Sequence, residues 1–188
     1  MAVITVSRQY GTGGMTMGNE LAKRLGCPFI FREELARGLK QRGLEIDLDR
    51  MEGRAPNIFE RLFGTNPEAL RRCLKEVMEE AARSGGVVIG GWGGQVLLKD
   101  RLDALHVRVV GSGEARVRQL VESGGLTRTA AEDVTKSADR NQRMFSEYFF
   151  EVDFSNPKLY HAVLNSETFS QEKMVEFILT LLKEKKLA

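Results

Sequence analysis

Glycines are concentrated immediately after the first apolar run of the chain, in the segment SRQYGTGGMT that spans Ser7 to Thr16. Glycines let backbone N–H groups converge on phosphate oxygens without obstruction by side chains, and the N-terminus of a following helix adds roughly half an elementary positive charge. The segment therefore predicts a phosphate-binding loop at Gly11 to Gly14. The alternative is a tight connection between a strand and a helix that binds no ligand.

The loop departs from the nucleotide-binding pattern G-x-x-x-x-G-K-[ST] at the position of the lysine. Arg8 stands where the first glycine is expected, Gly14 stands where the lysine is expected, and the hydroxyl residue is displaced to Thr16. The cation that bridges the β- and γ-phosphates in that pattern is therefore missing from its usual place. The sequence leaves open whether Arg8 supplies this charge.

Arginines and acids are frequent in the segment from Thr127 to about Phe149. Arginine is the side chain best suited to bidentate contact with phosphate oxygens. Asp139 and Arg143 are four residues apart and so share one face of a predicted helix, and Arg140 lies beside them. These residues are candidates for phosphate chemistry, and a solvated helix surface is the alternative.

The segments that would position these residues alternate between predicted strands and predicted helices. Short apolar runs predict buried strands at residues 2–6, 28–31, 87–89, 105–110 and 160–164. Apolar residues at the helical period predict helices at residues 17–25, 67–83, 114–123, 127–149 and 170–182. Residues 32–84 contain no convincing strand and predict a helical insertion. This order of elements predicts an α/β fold with a three-layer parallel sheet.

Composition and charge argue against several other classes of protein. The 188 residues carry a formal net charge of only +2, with bases interspersed among acids, so binding of a nucleic acid polymer is not expected. No segment has the ~20 apolar residues of a membrane span, and the strand-like start offers no secretory signal, so we expect a soluble, cytoplasmic protein without a membrane partner.

Cys27 and Cys73 lack a metal-ligand spacing and are interpreted as packing residues. His106 and His161 lack the neighbours of a catalytic triad, and we assign them no chemistry.

Four segments resemble one family, the cytidylate kinase-like branch of the nucleoside monophosphate kinases. Members of this family open with a segment like ITISRQYGSGGREIG, and this chain has ITVSRQYGTGG from Ile4 to Gly14. Similar segments follow at 26–33 (GCPFIFRE), 88–100 (VIGGWGGQVLLKD) and 136–164 (beginning KSADRNQR). The resemblance covers nearly the whole chain and implies a P-loop kinase-like fold in one domain of residues 1–188. Its implied parts are a core of residues 1–31, 85–124 and 155–188, a helical insertion for the nucleoside monophosphate at about 32–84, and a helical lid at about 125–154.

The resemblance also implies an activity, the transfer of the γ-phosphoryl group of ATP to CMP, dCMP or a related small acceptor. ATP and Mg²⁺ would both be required. The residues that would bind the ATP phosphates are Arg8, Gly11, Thr12, Gly13, Gly14, Thr16 and Arg116. Thr16 is also the nearest hydroxyl for Mg²⁺.

The other three segments would supply the acceptor site and the lid. Arg32 and Trp92 would bind the acceptor, although a solvated ion pair would equally explain Arg32. Arg140 and Arg143 would close over the phosphates and neutralise the charge that develops during transfer. Asp139 would orient an arginine or the sugar or base of the acceptor.

Four residues stand where the family usually has a polar or charged side chain: Met15, Phe31, Trp92 and His161. Trp92 replaces an arginine and offers one donor and a stacking surface, so it either stacks on a nucleobase or packs in the interior. The departures favour a second hypothesis, a nucleotide-binding sensor or scaffold without kinase turnover. A third hypothesis keeps the chemistry and takes a less polar acceptor, lined by Phe31 and Trp92.

Overall fold

The computed structural model describes residues 2–44, 65–83 and 85–187, which form a five-stranded parallel sheet with flanking helices. The strands are β1 (Val3–Arg8), β2 (Phe29–Ile30), β3 (Val87–Gly90), β4 (Ala104–Val110) and β5 (Ala162–Asn165). They lie in the order β2-β3-β1-β4-β5, and every neighbouring pair is parallel. β1 is therefore the central strand and is paired on both sides.

Helices cover both faces of this sheet. Those of the described residues are α1 (Gly14–Leu25), α2 (Arg32–Gln41), α3 (Pro67–Arg83), α4 (Gly94–Leu97), α5 (Gly113–Gly124), α6 (Arg128–Phe150) and α7 (Gln171–Glu184), with a 3₁₀ turn at Pro157–Leu159. α1 and α7 pack on one face, and α3, α4 and α6 pack on the other. The predicted α/β fold with a three-layer parallel sheet is confirmed.

Two apolar clusters bury the two faces of the sheet. Ile4 and Val6 of β1 belong to the cluster under α1 and α7, whereas Val3 belongs to the cluster under α3 and α6. Successive side chains of a strand point to opposite faces, and both faces are covered here. This double burial is the reason that continuous apolar runs predicted the strands.

The boundaries of some elements differ from the sequence-based predictions for physical reasons. α1 begins at Gly14 rather than Met17, because its first turn approaches the loop and has no apolar periodicity. β5 begins at Ala162 rather than Tyr160, because the amide of Tyr160 donates to Pro157 and ends the 3₁₀ turn. α4 was not predicted, since four residues are too few to show a helical period.

The predicted insertion at about 32–84 is described only in part. α2 and α3 lie within it, whereas residues 45–64 and 84 lie outside the described residues. The extent of the insertion and the division of the chain into core, insertion and lid therefore stay predictions. Among the described helices, none has the length and apolar character that a membrane crossing requires.

The cysteines are free thiols at different depths. Cys73 is buried in the cluster under α3 and α6, as expected of a packing residue. Cys27 is half-buried beside the cluster under α1 and α7, and burial raises the pKa of its thiol.

The carboxyl ends of β1, β3 and β4 meet at one edge of the sheet, because all three strands are parallel and adjacent. Residues 9–13 after β1, residues 91–93 after β3 and Gly111 after β4 therefore lie side by side. Ligands of open parallel sheets bind beyond the carboxyl ends of the strands. The topology thus places the glycine loop where a binding site is expected.

Candidate active site

A cleft of about 770 Å³ opens at the carboxyl edge of the sheet. We name two parts of its wall. The loop half consists of residues 9–11 and 13–16, of Gln119, Leu120, Ser123, Gly124 and Leu126 around the end of α5, and of Gln171. The aromatic half consists of Phe31, Arg32, Gly91, Trp92, Gly93, Gln95, Asn141, Gln142, Phe145 and Phe154. Arg8 lies between the two halves, at the end of β1.

The backbone of the loop exposes the N-terminus of α1 to the cleft. Gly11 and Gly13 have φ of +84° and +70°, in the left-handed region that favours glycine. Gly13 is the N-cap of α1, and no side chain caps the first turn, residues 14–16, which lines the cleft. Uncapped N–H groups at a helix N-terminus are an anion site. A Cβ on Gly13 would collide with the side-chain amide of Gln171, so the loop fits closely against α7.

The two predicted threonines have different roles in this structure. Thr12 is buried, and its hydroxyl donates to the carbonyl oxygen of Gln9 over 2.8 Å. Its side chain therefore holds the loop together from within, which leaves only its backbone for a phosphate. Thr16 is exposed in the first turn of α1 and lines the cleft.

Thr16 is the side chain that fits the predicted Mg²⁺. No group of three or more His, Cys, Asp or Glu among the described residues could hold a metal ion. Asp139, the one acid among the described residues that line the cleft, is paired with Arg116. Mg²⁺ commonly keeps several waters and is held by few protein oxygens together with substrate phosphates. The residues present therefore fit an ion that arrives with a nucleotide and contacts the Thr16 hydroxyl.

Arg8 occupies the space that a side chain at position 14 would need. A Cβ on Gly14 would lie 2.8 Å from Arg8 Cβ and 3.4 Å from Arg8 Cγ, so an arginine at position 8 excludes a lysine at position 14. The Arg8 side chain extends toward the aromatic half, where its guanidinium carbon lies 5.2 Å from the centre of the Phe31 ring. Its Nη1 lies 3.0 Å from the place of a Cβ on Gly91.

The guanidinium of Arg8 has no acidic partner among the described residues. Burial, followed by the positive charges of Arg32 and Arg108, lowers the pKa of Arg8 to about 10. The group is still protonated at neutral pH. Arg32 itself lines the cleft at the start of α2. Three cations thus share one region, and an anion bound there would relieve their mutual repulsion.

Arg116 and Asp139 form an ion pair that joins α5 to α6 and both to the loop. Arg116 is buried, and its Nη1 and Nη2 donate to the two carboxylate oxygens of Asp139 over 2.9 and 2.7 Å. Arg116 also donates to the carbonyl oxygens of Tyr10 and Gly111, each over 3.2 Å. The four bonds leave one of the five guanidinium N–H groups of Arg116 and fix the shape of the loop. The predicted contact between Arg116 and a phosphate stays a prediction.

Arg140 and Arg143 do not line the cleft in this structure. Both are exposed, whereas Ala138, Asn141 and Phe145 of the same helix face the cleft. Arg143 lies one helical turn from Asp139, which lines the cleft, and Arg140 follows Asp139 directly. The catalytic role of the two arginines stays a prediction.

A buried arginine that sequence reasoning missed lies beneath the cleft. Arg108 of β4 is 5% exposed and donates to Ser7 Oγ over 2.7 Å, to Tyr160 Oη over 3.3 Å and to Gln142 Oε1 over 3.2 Å. Gln142 in turn donates to the carbonyl oxygen of Arg8 over 2.9 Å. All three acceptors of Arg108 are neutral. The available signal was an arginine inside an apolar run that is buried on both faces.

Trp92 is packed and has an unusual backbone conformation. Its φ is +56°, between Gly91 and Gly93, and a bulky residue in the left-handed region is an outlier. The side chain is 4% exposed and lies edge-on against Phe145, with ring centroids 6.3 Å apart. Packing therefore accounts for most of the indole surface, while the remainder lines the cleft. Its Nε1 is buried and has no hydrogen-bond partner.

The two histidines are stacked on each other and do not line the cleft, with ring centroids 5.1 Å apart. His106 Nδ1 and Thr5 Oγ1 are 2.8 Å apart, and His161 Nδ1 accepts from the backbone N–H of His106 over 2.9 Å. Burial, followed by the charges of His161 and Lys185, lowers the pKa of His106 to about 4. The departure at His161 therefore lies away from the cleft.

Sequence comparison gives matches over most of the chain. The sequence model of the Cytidylate kinase-like family matches residues 3–168. The cytidylate kinase of Archaeoglobus fulgidus is 24% identical over 184 residues, which cover 98% of this chain and 96% of that protein. The identity is low, but the match spans both proteins nearly completely.

Structural comparison gives the same architecture at lower identity. An uncharacterised protein from Eubacterium ventriosum has a TM-score of 0.77 at 16% identity, covering 97% of this chain and 98% of that chain. The shikimate kinase of Bacteroides thetaiotaomicron has a TM-score of 0.56 at 15% identity, again covering 97% and 98%. These structures support the fold alone.

Proposed function

The chain belongs to the cytidylate kinase-like family, and from this premise we propose that it transfers the γ-phosphoryl group of ATP to CMP, dCMP or a related small acceptor. One observation carries the proposal: the uncapped first turn of α1 opens, beside Arg8, onto a cleft of about 770 Å³. Phosphoryl transfer depends on positioning and charge neutralisation and needs little covalent chemistry from the protein.

The loop half would bind the phosphates of ATP. The backbone of Gly11 to Gly14 and the first-turn amides of α1 would donate to phosphate oxygens, aided by the dipole of α1. Bound Mg²⁺ would neutralise phosphate charge, and the Thr16 hydroxyl would be its protein oxygen. Arg116 would act on this step by holding the loop in shape through Tyr10 and Gly111.

Arg8 would supply the charge that a lysine supplies in the common loop pattern. The common pattern has a glycine at position 8 and a lysine at position 14, whereas this chain has an arginine at 8 and a glycine at 14. The Arg8 side chain fills the space that a side chain at position 14 would need. The guanidinium lies beside Phe31 and Gly91 in the aromatic half, where it would contact the phosphoryl group as that group passes from donor to acceptor. A cation fixed at that place stabilises the charge of the transition state.

The aromatic half would bind the acceptor. Arg32 would contact the acceptor phosphate and Trp92 would contact its remaining part. An acceptor phosphate is itself an anionic nucleophile, so the reaction requires no general base. Arg140 and Arg143 would join after a movement of α6, and Asp139 would keep Arg116 oriented throughout.

A second candidate function is a nucleotide-binding sensor or scaffold without turnover. It is favoured by the positions of three arginines: Arg116 is bound within the protein, and Arg140 and Arg143 do not line the cleft. On this hypothesis the loop half binds ATP as described, and the phosphoryl group is not transferred.

A coupled assay of ADP release, with ATP, Mg²⁺ and a panel of nucleoside monophosphates, distinguishes the two functions. We expect ADP release that depends on CMP or dCMP, together with stabilisation by ATP in a thermal-shift titration. Stabilisation by ATP without acceptor-dependent ADP release would support the sensor. Absence of both would contradict nucleotide binding altogether.

A further inference from the structure

Arg108 carries a buried positive charge that forms no ion pair with a carboxylate of the described residues. Its guanidinium donates to Ser7 Oγ over 2.7 Å, to Tyr160 Oη over 3.3 Å and to Gln142 Oε1 over 3.2 Å, and all three acceptors are neutral. The guanidinium carbon also lies 5.6 Å from the centre of the Tyr160 ring. Burial of a charge costs free energy unless the charge is paired and hydrogen-bonded. A charge that is kept under these conditions points to a role beyond packing.

The partners of Arg108 lie on both sides of Arg8. Ser7 precedes Arg8 on β1, and Gln142 Nε2 donates to the carbonyl oxygen of Arg8 over 2.9 Å. The orientation of the Gln142 amide is fixed, because an arginine can only donate a hydrogen bond and a carbonyl oxygen can only accept one. Arg108 therefore holds one side of Arg8 directly, at Ser7, and the other side through Gln142.

The peptide group between Arg8 and Gln9 joins β1 to the loop and is held at both of its ends. Its N–H donates to the carbonyl oxygen of Val109 over 3.0 Å, and its carbonyl oxygen accepts from Gln142. A peptide plane held in this way leaves the ψ angle of Arg8 little freedom. The rotamers that a side chain can adopt depend on its φ and ψ angles, so these bonds also restrict the direction of the Arg8 side chain.

The Arg8 guanidinium has few contacts of its own that could set this direction. It lies 5.2 Å from the centre of the Phe31 ring, and no described residue accepts a hydrogen bond from it. The positive charges of Arg32 and Arg108 repel it. A cation held by one ring and repelled by two neighbours depends on its backbone for its position.

We propose that Arg108 and Gln142 are positioning residues for phosphoryl transfer, which hold the backbone on both sides of Arg8 and thereby direct its guanidinium at the transferring group. This inference rests on the proposed function and deepens it. Arg108 does not line the cleft, so it acts through its partners. Gln142 is a residue of α6, and the pair therefore also ties α6 to the end of β1.

Gln142→Met tests the pair, because it removes both hydrogen bonds of the amide and keeps a side chain of similar length. We expect kcat to fall about ten- to a hundredfold, since a misplaced cation stabilises the transferring group less. The ATP dissociation constant should change far less, because the loop amides are not altered. An equal loss of ATP affinity would assign the effect to the loop and overturn the proposal.

A double-variant cycle shows whether Gln142 acts through Arg8. In an Arg8→Gly background, Gln142→Met should lower kcat no further, because the side chain that Gln142 positions is already absent. An equal fall of kcat in both backgrounds would show that Gln142 acts independently of the Arg8 side chain and would overturn the proposal.

Thr135→Val is the matched control for the packing of α6. Thr135 is buried in the same helix, its hydroxyl has no partner, and it does not line the cleft. This variant should leave kcat unchanged. A fall of kcat as large as that in Gln142→Met would assign the effect to the packing of α6 instead of the position of Arg8.

The Nε–Hε signal of Arg8 in ¹H–¹⁵N NMR spectra gives a readout that needs no turnover, and its absence from Arg8→Lys identifies it. The Phe31 ring should shift this signal in the unaltered chain. Gln142→Glu is a second variant, which keeps an acceptor for Arg108 and loses the donor to the Arg8 carbonyl. It should melt no lower than the unaltered chain, because it gives Arg108 a carboxylate. The Arg8 signal should nevertheless move toward that of a solvated arginine, as in Gln142→Met.

This readout separates the positioning of Arg8 from the proposed function. An Arg8 signal that stays in place in both Gln142 variants would overturn the proposal, whether or not the chain releases ADP. A chain that releases no ADP, but whose Arg8 signal moves in both variants and stays in place in Thr135→Val, would contradict the kinase while the positioning of Arg8 stands.

Discussion

The two halves of the cleft differ in how far the protein satisfies its own polar groups. In the loop half, Thr12 donates within the loop and Arg116 is bound by a carboxylate and two carbonyl oxygens. In the aromatic half, Trp92 and Asn141 have buried donors without a partner, and the neighbouring Arg8 has no acidic partner among the described residues. The side chains of the loop half are bonded within the protein, and its first-turn amides are open to an anion, whereas the aromatic half keeps buried side-chain donors without a partner.

In the proposed function, this difference separates the half that holds the phosphates from the half that takes the acceptor. A preorganised site stabilises charge without reorganising during the reaction, which suits the half that holds the phosphates. The residues of the other half would decide which acceptor fits, because a site discriminates through the groups that contact its substrate. Changes in the loop half should therefore abolish binding of ATP, and changes in the aromatic half should alter the choice of acceptor.

Of these variants, Gly13→Asp should have the largest effect, because it should abolish the binding of ATP by the loop half. An aspartate there would adopt a φ of +70°, collide with Gln171 and place a negative charge at the N-terminus of α1. We expect stabilisation by ATP to disappear in a thermal-shift titration. Gly26→Asp is the matched control, because Gly26 has a φ of +63° with no atoms within 4 Å of an added Cβ. ATP stabilisation that persists in Gly13→Asp would remove the loop from the binding site.

Variants at positions 8 and 14 test the contribution of the Arg8 cation to phosphoryl transfer. Arg8→Gly should lower kcat about 10²- to 10³-fold, as expected when one donor to transition-state charge is removed. Arg8→Gly/Gly14→Lys restores the first glycine and the lysine of the common loop pattern and should recover at least about tenfold of that loss. Gly14→Lys alone should be less stable than either, because its Cβ would lie 2.8 Å from Arg8 Cβ. A double variant as slow as Arg8→Gly would show that the positions are not exchangeable.

Arg143→Ala tests whether the lid contributes a residue only during transfer. Arg143 is exposed and does not line the cleft, so it should add nothing to the affinity for ATP. We expect kcat to fall about tenfold with the ATP dissociation constant unchanged. Arg128→Ala, at an exposed arginine of the same helix that pairs with Glu114 and Glu132, is the control and should change neither. Equal losses of kcat and ATP affinity would make Arg143 a binding residue.

A change of pH should have the smallest effect on the two halves of the cleft, because it acts on the buried His106, which does not line the cleft. His106 has its pKa lowered to about 4, so the folded chain keeps it neutral while the unfolded chain protonates it below its ordinary value of 6.5. The free energy of unfolding should therefore fall as pH drops from about 6.5 to about 4. Urea denaturation across this window measures the slope, and His106→Gln should reduce it. Equal slopes in the two proteins would contradict this assignment.

The loop half could be predicted from the sequence because its signal is local. An apolar run, closely spaced glycines and an amphipathic segment follow one another within residues 3–25, and the structure forms β1, the loop and α1 from them. The ion pair between Arg116 and Asp139 was beyond such reasoning, because it depends on how α5 packs against α6. Both residues were identified, but the contact that they make was not.

The aromatic half was predicted less completely because it is assembled from distant segments. Phe31, Trp92 and Phe145 line one cleft although they come from the end of β2, the end of β3 and α6. Arg108 was overlooked for a related reason: in an apolar strand, one arginine gives no indication of which neutral partners surround it. Asn141 carries no signal at all until its amide is found buried without a partner.

Arg116 connects parts of the chain that would otherwise lose order independently. Its guanidinium contacts the loop at Tyr10, the end of β4 at Gly111 and α6 at Asp139. Proteins open locally in cooperative units under native conditions, and we expect the segments that share this buried side chain to form one such unit. Mild denaturant should therefore expose the amides of α5, α6 and the loop together. Nucleotide binding would then be lost while the central strands are still protected, so the protein would lose its ligand before its fold.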